Sequence, residues 1–83
     1  MSEREIRKFI EQVSPSPGYI LNLTKTELSD LVYDLTGLEL EQYEQNGSSN
    51  AKRLATLLSK VDELTSAKIT THLLDIKGQQ YKH

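Results

Sequence analysis

The chain has 83 residues, 36% of them hydrophobic and 27% charged, with no cysteine and a formal net charge of −2. That length makes one small domain, whose core supplies on the order of 3–5 kcal/mol. The missing cysteines exclude a disulfide framework, a thiolate metal site and a cysteine nucleophile. A dedicated nucleic-acid binder usually has a pI above about 9; here it is about 5.6, so any DNA contact would need a local basic patch.

Ser2 and Glu5 stand at capping-box spacing, and Ile6, Phe9, Ile10 and Val13 follow at the period of one helical face. A first helix is expected over 2–13. Its polar start, Met1 to Glu5, does not read as a signal peptide. Ser14-Pro15-Ser16-Pro17-Gly18 stops it, because proline cannot continue the hydrogen-bond ladder and Gly18 supports a turn. Residues 19–23 are an apolar link expected to lie against the core. Leu23-Thr24-Lys25-Thr26-Glu27-Leu28 then writes a helix start twice over. Thr24 and Glu27 make a capping box, and Leu23 and Leu28 take the positions of a hydrophobic staple.

The second helix spans 25–36, with Leu28, Leu31, Val32 and Leu35 along one face, Gly37 as a left-handed cap and Leu38 as the closing contact. Residues 38–43 form an extended loop or one short turn. Leu38, Leu40 and Tyr43 point inward there, while Glu39, Glu41 and Glu44 stay in water. Asn46-Gly47 favours a turn, and Ser48 or Ser49 caps the third helix, 50–60. Its stripe is Leu54, Leu57, Leu58 and Val61, and Ala51 and Ala55 beside it let another helix approach closely. The fourth helix starts near Asp62 or Thr65 and ends at Lys77, before Gly78. Ile69, Leu73 and Ile76 are its buried face, with Leu74 adjacent. The expected fold is all-α, a compact bundle of about four short helices over 1–78 with a flexible tail over 79–83. No apolar run approaches the roughly 20 residues of a membrane span, and a cytoplasmic location is the default.

Catalytic chemistry finds little to stand on. Asp30 and Asp34 are helical neighbours that can reach one cation, but an exposed acidic face is the plainer reading. His72, near the edge of an apolar stripe, reads as a packing residue; zinc needs three or four ligands at characteristic spacing, which the chain does not supply. Ser48-Ser49 lacks the glycine-framed turn of a nucleophile elbow, and Gly47 alone makes no phosphate-cradling loop. Neither catalytic residues, nor a metal site, nor a cofactor, nor a small-molecule substrate is expected.

Two binding surfaces remain. Ser48, Ser49, Lys52 and Arg53 cluster at the start of the third helix, where unpaired N–H groups and the macrodipole favour an anion, a phosphate or a partner's carboxylate. Lys60 and Lys68 extend that patch. Cations at a helix start oppose the dipole, which points to another task for them. The other surface is the acidic loop of Glu39, Glu41 and Glu44 around Leu40 and Tyr43. Set against the basic helix start, it would support head-to-tail self-association, a contact that forms rings or open filaments.

The segment 28–54 resembles small bacterial helical modules. It carries an apolar–glycine–apolar helix end in Leu35-Thr36-Gly37-Leu38, a loop bearing Tyr43, and Gly47-Ser48 ahead of Lys52-Arg53-Leu54. Such modules are similar to the N-terminal helical adaptor regions of prokaryotic abortive-infection and related defence proteins. The resemblance covers about a third of the chain, and Ser49-Asn50 stands where a basic residue follows Gly-Ser in those modules. It implies recognition of one helical protein by another. The expected function is therefore a non-enzymatic protein–protein interaction module, adaptor or small regulator, with Tyr43, Ser48, Ser49, Lys52 and Arg53 as the partner-binding residues. The alternative is a helix-turn-helix DNA-binding regulator built from the third and fourth helices, which the acidic pI disfavours.

Overall fold

Each of the four α-helices among the described residues begins at a short polar side chain that accepts a hydrogen bond from the first turn. The computed structural model describes residues 1–80. Ser2 opens α1 (Glu3–Val13): its hydroxyl accepts from the Glu5 N–H at 3.2 Å, and its own N–H donates to the Glu5 carboxylate at 2.9 Å. Thr24 and Glu27 repeat that reciprocal box ahead of α2 (Lys25–Thr36), at 3.1 and 2.9 Å. Ser49, rather than Ser48, caps α3 (Asn50–Lys60) by accepting from the Lys52 N–H at 3.2 Å. Asp62, rather than Thr65, caps α4 (Glu63–Gln80) and accepts from the Thr65 N–H at 2.8 Å. Each cap satisfies donors that the helix itself leaves unpaired, worth typically about 1 kcal/mol.

Gly37 ends α2 in the left-handed region at φ 74°, where its N–H donates to the Tyr33 carbonyl at 2.7 Å. Gly78 differs. It has no positive φ, and α4 runs through it to Gln80 instead of stopping at Lys77. A glycine ends a helix only when the chain turns left-handed there; with helical backbone it merely weakens the segment, by about 1 kcal/mol relative to alanine. Residues 81–83 of the expected tail lie outside the described residues.

The core gathers Ile6, Phe9 and Val13 of α1, Leu28 and Val32 of α2, Leu54, Leu57 and Leu58 of α3, and Ile69 and Leu73 of α4. These are the stripes written in the sequence, and burial of each leucine stabilises the fold by about 1.5–3 kcal/mol. The apolar link also closes on the core. Ile20 and Leu21 are buried, and Leu21 reaches its place in a left-handed conformation at φ 51°, with its N–H on the Val13 carbonyl at 2.7 Å. Leu40 plugs the core from a 3₁₀ turn over Leu40–Gln42, while Leu38 and Tyr43 pack at its edge. Leu31, Val61 and Ile76 are half-buried, and Leu74 is exposed.

α1 packs against α3 on one side and α4 on the other. It runs parallel to α4 and is tied to it at both ends. The N-terminal ammonium pairs with Glu63, and the Lys77 ammonium donates to the Gln12 carbonyl. α2 closes the bundle against α4 and the 3₁₀ turn. No strand forms among the described residues, and no described helix is long and apolar enough to cross a membrane.

Candidate functional site

The start of α3 holds the expected binding residues, and the fold splits them into two groups. Ser48 and Lys52 are exposed. The Lys52 stem lies over Gly47, whose φ of +134° and lack of a Cβ make room for it; any side chain at 47 would run into the Lys52 methylenes. Ser49 is committed as the cap of α3, and Tyr43 is half-buried against the core. Ser48 and Ser49 border a shallow groove where the starts of α2 and α3 face each other, beside Tyr19 and Lys25.

Arg53 is not on that surface: only 3% of it is exposed. One guanidinium nitrogen donates to Asn50 Oδ1 at 2.9 Å, and the other terminal nitrogen stands 3.7 Å from a Glu44 carboxylate oxygen. Asn50 is buried as well, and its amide donates to the Leu23 carbonyl at 3.1 Å. This chain of contacts ties the acidic loop, the first turn of α3 and the residue before the α2 cap into one polar staple. Arg53 therefore serves the fold rather than a partner. The reason is register, since residue 53 shares its face of α3 with Asn50 and Leu57, about one turn away on either side. Glu44 stays in water as expected, its side chain 46% exposed, and one of its carboxylate oxygens lies within reach of Arg53. The acidic loop and the basic helix start thus meet within one chain, which removes two of the charges that head-to-tail pairing of those segments would use.

Three carboxyls among the described residues titrate below their ordinary range. Glu5 is held down by the Ser2 N–H and hydroxyl, Glu41 by the Ser29 hydroxyl, and Asp62 by the hydroxyl and N–H of Thr65. Hydrogen bonds to the ionised form cause each shift. These are caps and braces, and all three carboxyls face water.

The surface that stands apart is on α4. Leu64 is 69% exposed and Leu74 is 41% exposed, on the side of the helix away from Ser66, Ile69 and Leu73. Ala67 and Thr71 lie between them, and Lys68, His72 and Asp75 form a polar edge toward Leu35 of α2. His72, expected to pack at the border of the core, is exposed and belongs to this edge. The sequence carries the signal: Leu64, Ala67, Thr71 and Leu74 recur at three- and four-residue steps, parallel to the buried stripe Ser66, Ile69, Leu73 and Ile76. Counting a single apolar face on α4 hides it. A helix that is apolar on two faces has one partner in the core and lacks one for the other.

Asp30 and Asp34 are both exposed on α2, and no group of three or more His, Asp or Glu side chains is placed to hold a metal ion among the described residues. Comparison with protein-family models, with curated proteins and with solved structures finds no match to this chain.

Proposed function

We propose that this domain is a non-enzymatic protein-interaction module, an adaptor or small regulator, that docks through the outer face of α4. One observation carries the reading: Leu64 and Leu74 stand in water on a helix whose inner face already fills the core. Apolar side chains grouped on a surface and edged by polar ones have the anatomy of a protein interface. The resemblance of residues 28–54 to helical adaptors supports the same class of function. Ser48 and Lys52 remain a second, polar contact surface at the start of α3; Arg53 leaves it because of its burial. Nothing in the geometry favours a DNA duplex, since the outward residues of α4 include Leu64, Leu74 and Asp75 and the net charge is −2.

The test compares proteins crosslinked to the wild type, to Leu64→Asp/Leu74→Asp and to Lys52→Ala, after circular dichroism shows each to be folded. Partners kept by Lys52→Ala and lost by the double variant support docking through α4. The reverse pattern moves the docking face to the start of α3. If amide shifts on adding a mixed-sequence duplex cluster on α3 and α4 and fade as salt rises, counterion release is at work and a nucleic-acid function replaces this one.

A further inference from the structure

Asn46 is followed by Gly47, the only Asn-Gly pair in the chain. Asparagine ahead of glycine loses its side-chain amide most readily, because no Cβ on the next residue shields the backbone nitrogen that attacks it. Here the fold requires that glycine. Its φ of +134° is one that residues with a side chain rarely adopt, and a Cβ there would stand 2.3 Å from the Lys52 Cδ. The neighbour that makes Asn46 reactive is thus built into the turn before α3.

Asn46 is exposed, and two hydrogen bonds hold its loop. The Asn46 Nδ2 donates to Thr56 Oγ1 at 3.3 Å, and the Gly47 N–H donates to the Glu44 carbonyl at 3.1 Å. The Thr56 hydroxyl gives its own proton to the Lys52 carbonyl at 2.8 Å, so towards residue 46 it only accepts. Asn46, Lys52 and Thr56 line one hollow at the seam of α1 and α3.

We infer that Asn46 is a modification site, where the side-chain amide is hydrolysed to a carboxylate through attack by the chain's own backbone, at a pace set by the two loop bonds. The Gly47 nitrogen, after losing its proton to water, bonds to the Asn46 Cγ. The Cγ–Nδ2 bond breaks, and Nδ2 takes up a proton and leaves as ammonia. Water then opens the cyclic imide. Attack at Cγ restores the ordinary backbone with an aspartate; attack at the main-chain carbon leaves the chain running through the former side chain. One water is consumed and one ammonia released, with no oxidation or reduction. Ring closure requires the Gly47 nitrogen to leave the Glu44 carbonyl and the Asn46 amide to leave Thr56, so each bond slows it by about fivefold.

The product alters the start of α3. A carboxylate has no proton for Thr56, whose own proton is committed to Lys52, so the loop loses that tie to α3. The reaction also adds one negative charge to a net charge of −2, in the hollow that Lys52 lines. Lys52 has no ion-pair partner among the described residues, and the new carboxylate supplies one. Lys52 belongs to the polar contact surface proposed above, and only the consequence for binding there rests on that reading.

The test follows the folded chain at mildly alkaline pH by anion exchange and peptide mass mapping. An acidic form should accumulate with its new acid at 46, while Asn22 and Asn50 stay intact. Thr56→Val keeps the shape and removes the acceptor, so it should form the acid about fivefold faster, and Thr56→Ser should match the wild type. The Lys52 side-chain resonances should move alike in the acidic form and in Asn46→Asp. An acid that maps first to 22 or 50 overturns the inference. Equal rates in Thr56→Val and the wild type overturn the gate assigned to Thr56. If Thr56→Val fails to fold, the wild type in denaturant decides. Reaction about 25-fold faster there than in the folded chain supports two loop bonds as the gate. Equal rates, or protection beyond about a hundredfold, overturn it, since two such bonds account for neither.

Discussion

α3 and α4 lie side by side in sequence and treat their residues in opposite ways. α3 buries Asn50, Arg53 and Thr56 together with its leucines, and 3% of Arg53 is exposed. α4 leaves 69% of Leu64 in water. The difference shows that burial follows a residue's position on its element, not its chemistry. With α1 and the 3₁₀ turn packed on α3, a charged side chain at position 53 is enclosed; Asn50 accepts from it inside, and the Glu44 carboxylate reaches it from the surface. α4 lies at the edge of the bundle with one face uncovered, so an apolar side chain on that face stays outside. The polar core around Arg53 holds loops in place; the apolar surface around Leu64 is free to bind.

Four measurements break or sharpen this contrast. The largest effect belongs to the shared core. Leu57→Ala, at a site with no exposure, should cost about 3 kcal/mol, most of what so small a domain has. Leu64→Ala should stay within about 0.5 kcal/mol. Denaturant unfolding that shows equal losses for the two would erase the distinction between inner and outer leucines.

The Arg53 staple comes next. Arg53→Ala should cost about 2–3 kcal/mol, because it removes packed methylenes and strands the Asn50 acceptor. Arg53→Met, which keeps the volume and withdraws the buried charge, should recover at least half of that loss. If methionine is as damaging as alanine, the guanidinium contacts matter more than the packing. A smaller gain is expected at Ser66, whose buried hydroxyl has no hydrogen-bond partner among the described residues. Ser66→Ala should raise stability by about 1 kcal/mol, and a loss there would mean that water or a rotated hydroxyl satisfies it.

The smallest effect is with acid. Glu5, Glu41 and Asp62 titrate below their ordinary range in the folded chain, so the unfolded chain binds more protons as pH drops. Their contribution is complete above the ordinary carboxylate values of about 4 and is lost as pH falls through the lowered ones. The unfolding midpoint should be level between about pH 7 and 5 and lower near pH 3, and Asp62→Asn should shrink that fall. An unchanged slope in the variant would assign the acid sensitivity elsewhere.

Most of the fold is legible from local rules. The capping boxes at Ser2 and Thr24, the left-handed Gly37 and the stripes of α1, α2 and α3 each concern residues within one or two turns of each other, so periodicity and cap chemistry suffice. The candidate site was less legible. Ser48 and Lys52 are exposed at the helix start as their pattern implies, while Arg53 looked equally exposed because its charge hid its register. Leu74 reads only as adjacent to the buried stripe and Leu64 does not stand out, because nothing local says which of two apolar faces the bundle will cover. Gly78 misled for a related reason: a glycine permits a left-handed cap without requiring one.

The sequence by itself determined where the first two helices start, which stripe each of the first three turns inward, and that no cysteine-based chemistry is available. Those follow from interactions between near neighbours, which act before any tertiary contact forms. Tertiary structure alone decided that Arg53 is enclosed, that Glu44 comes to it, and that the second stripe of α4 is left uncovered. Each depends on which elements surround a residue from afar, and a helix has more faces than its neighbours can cover.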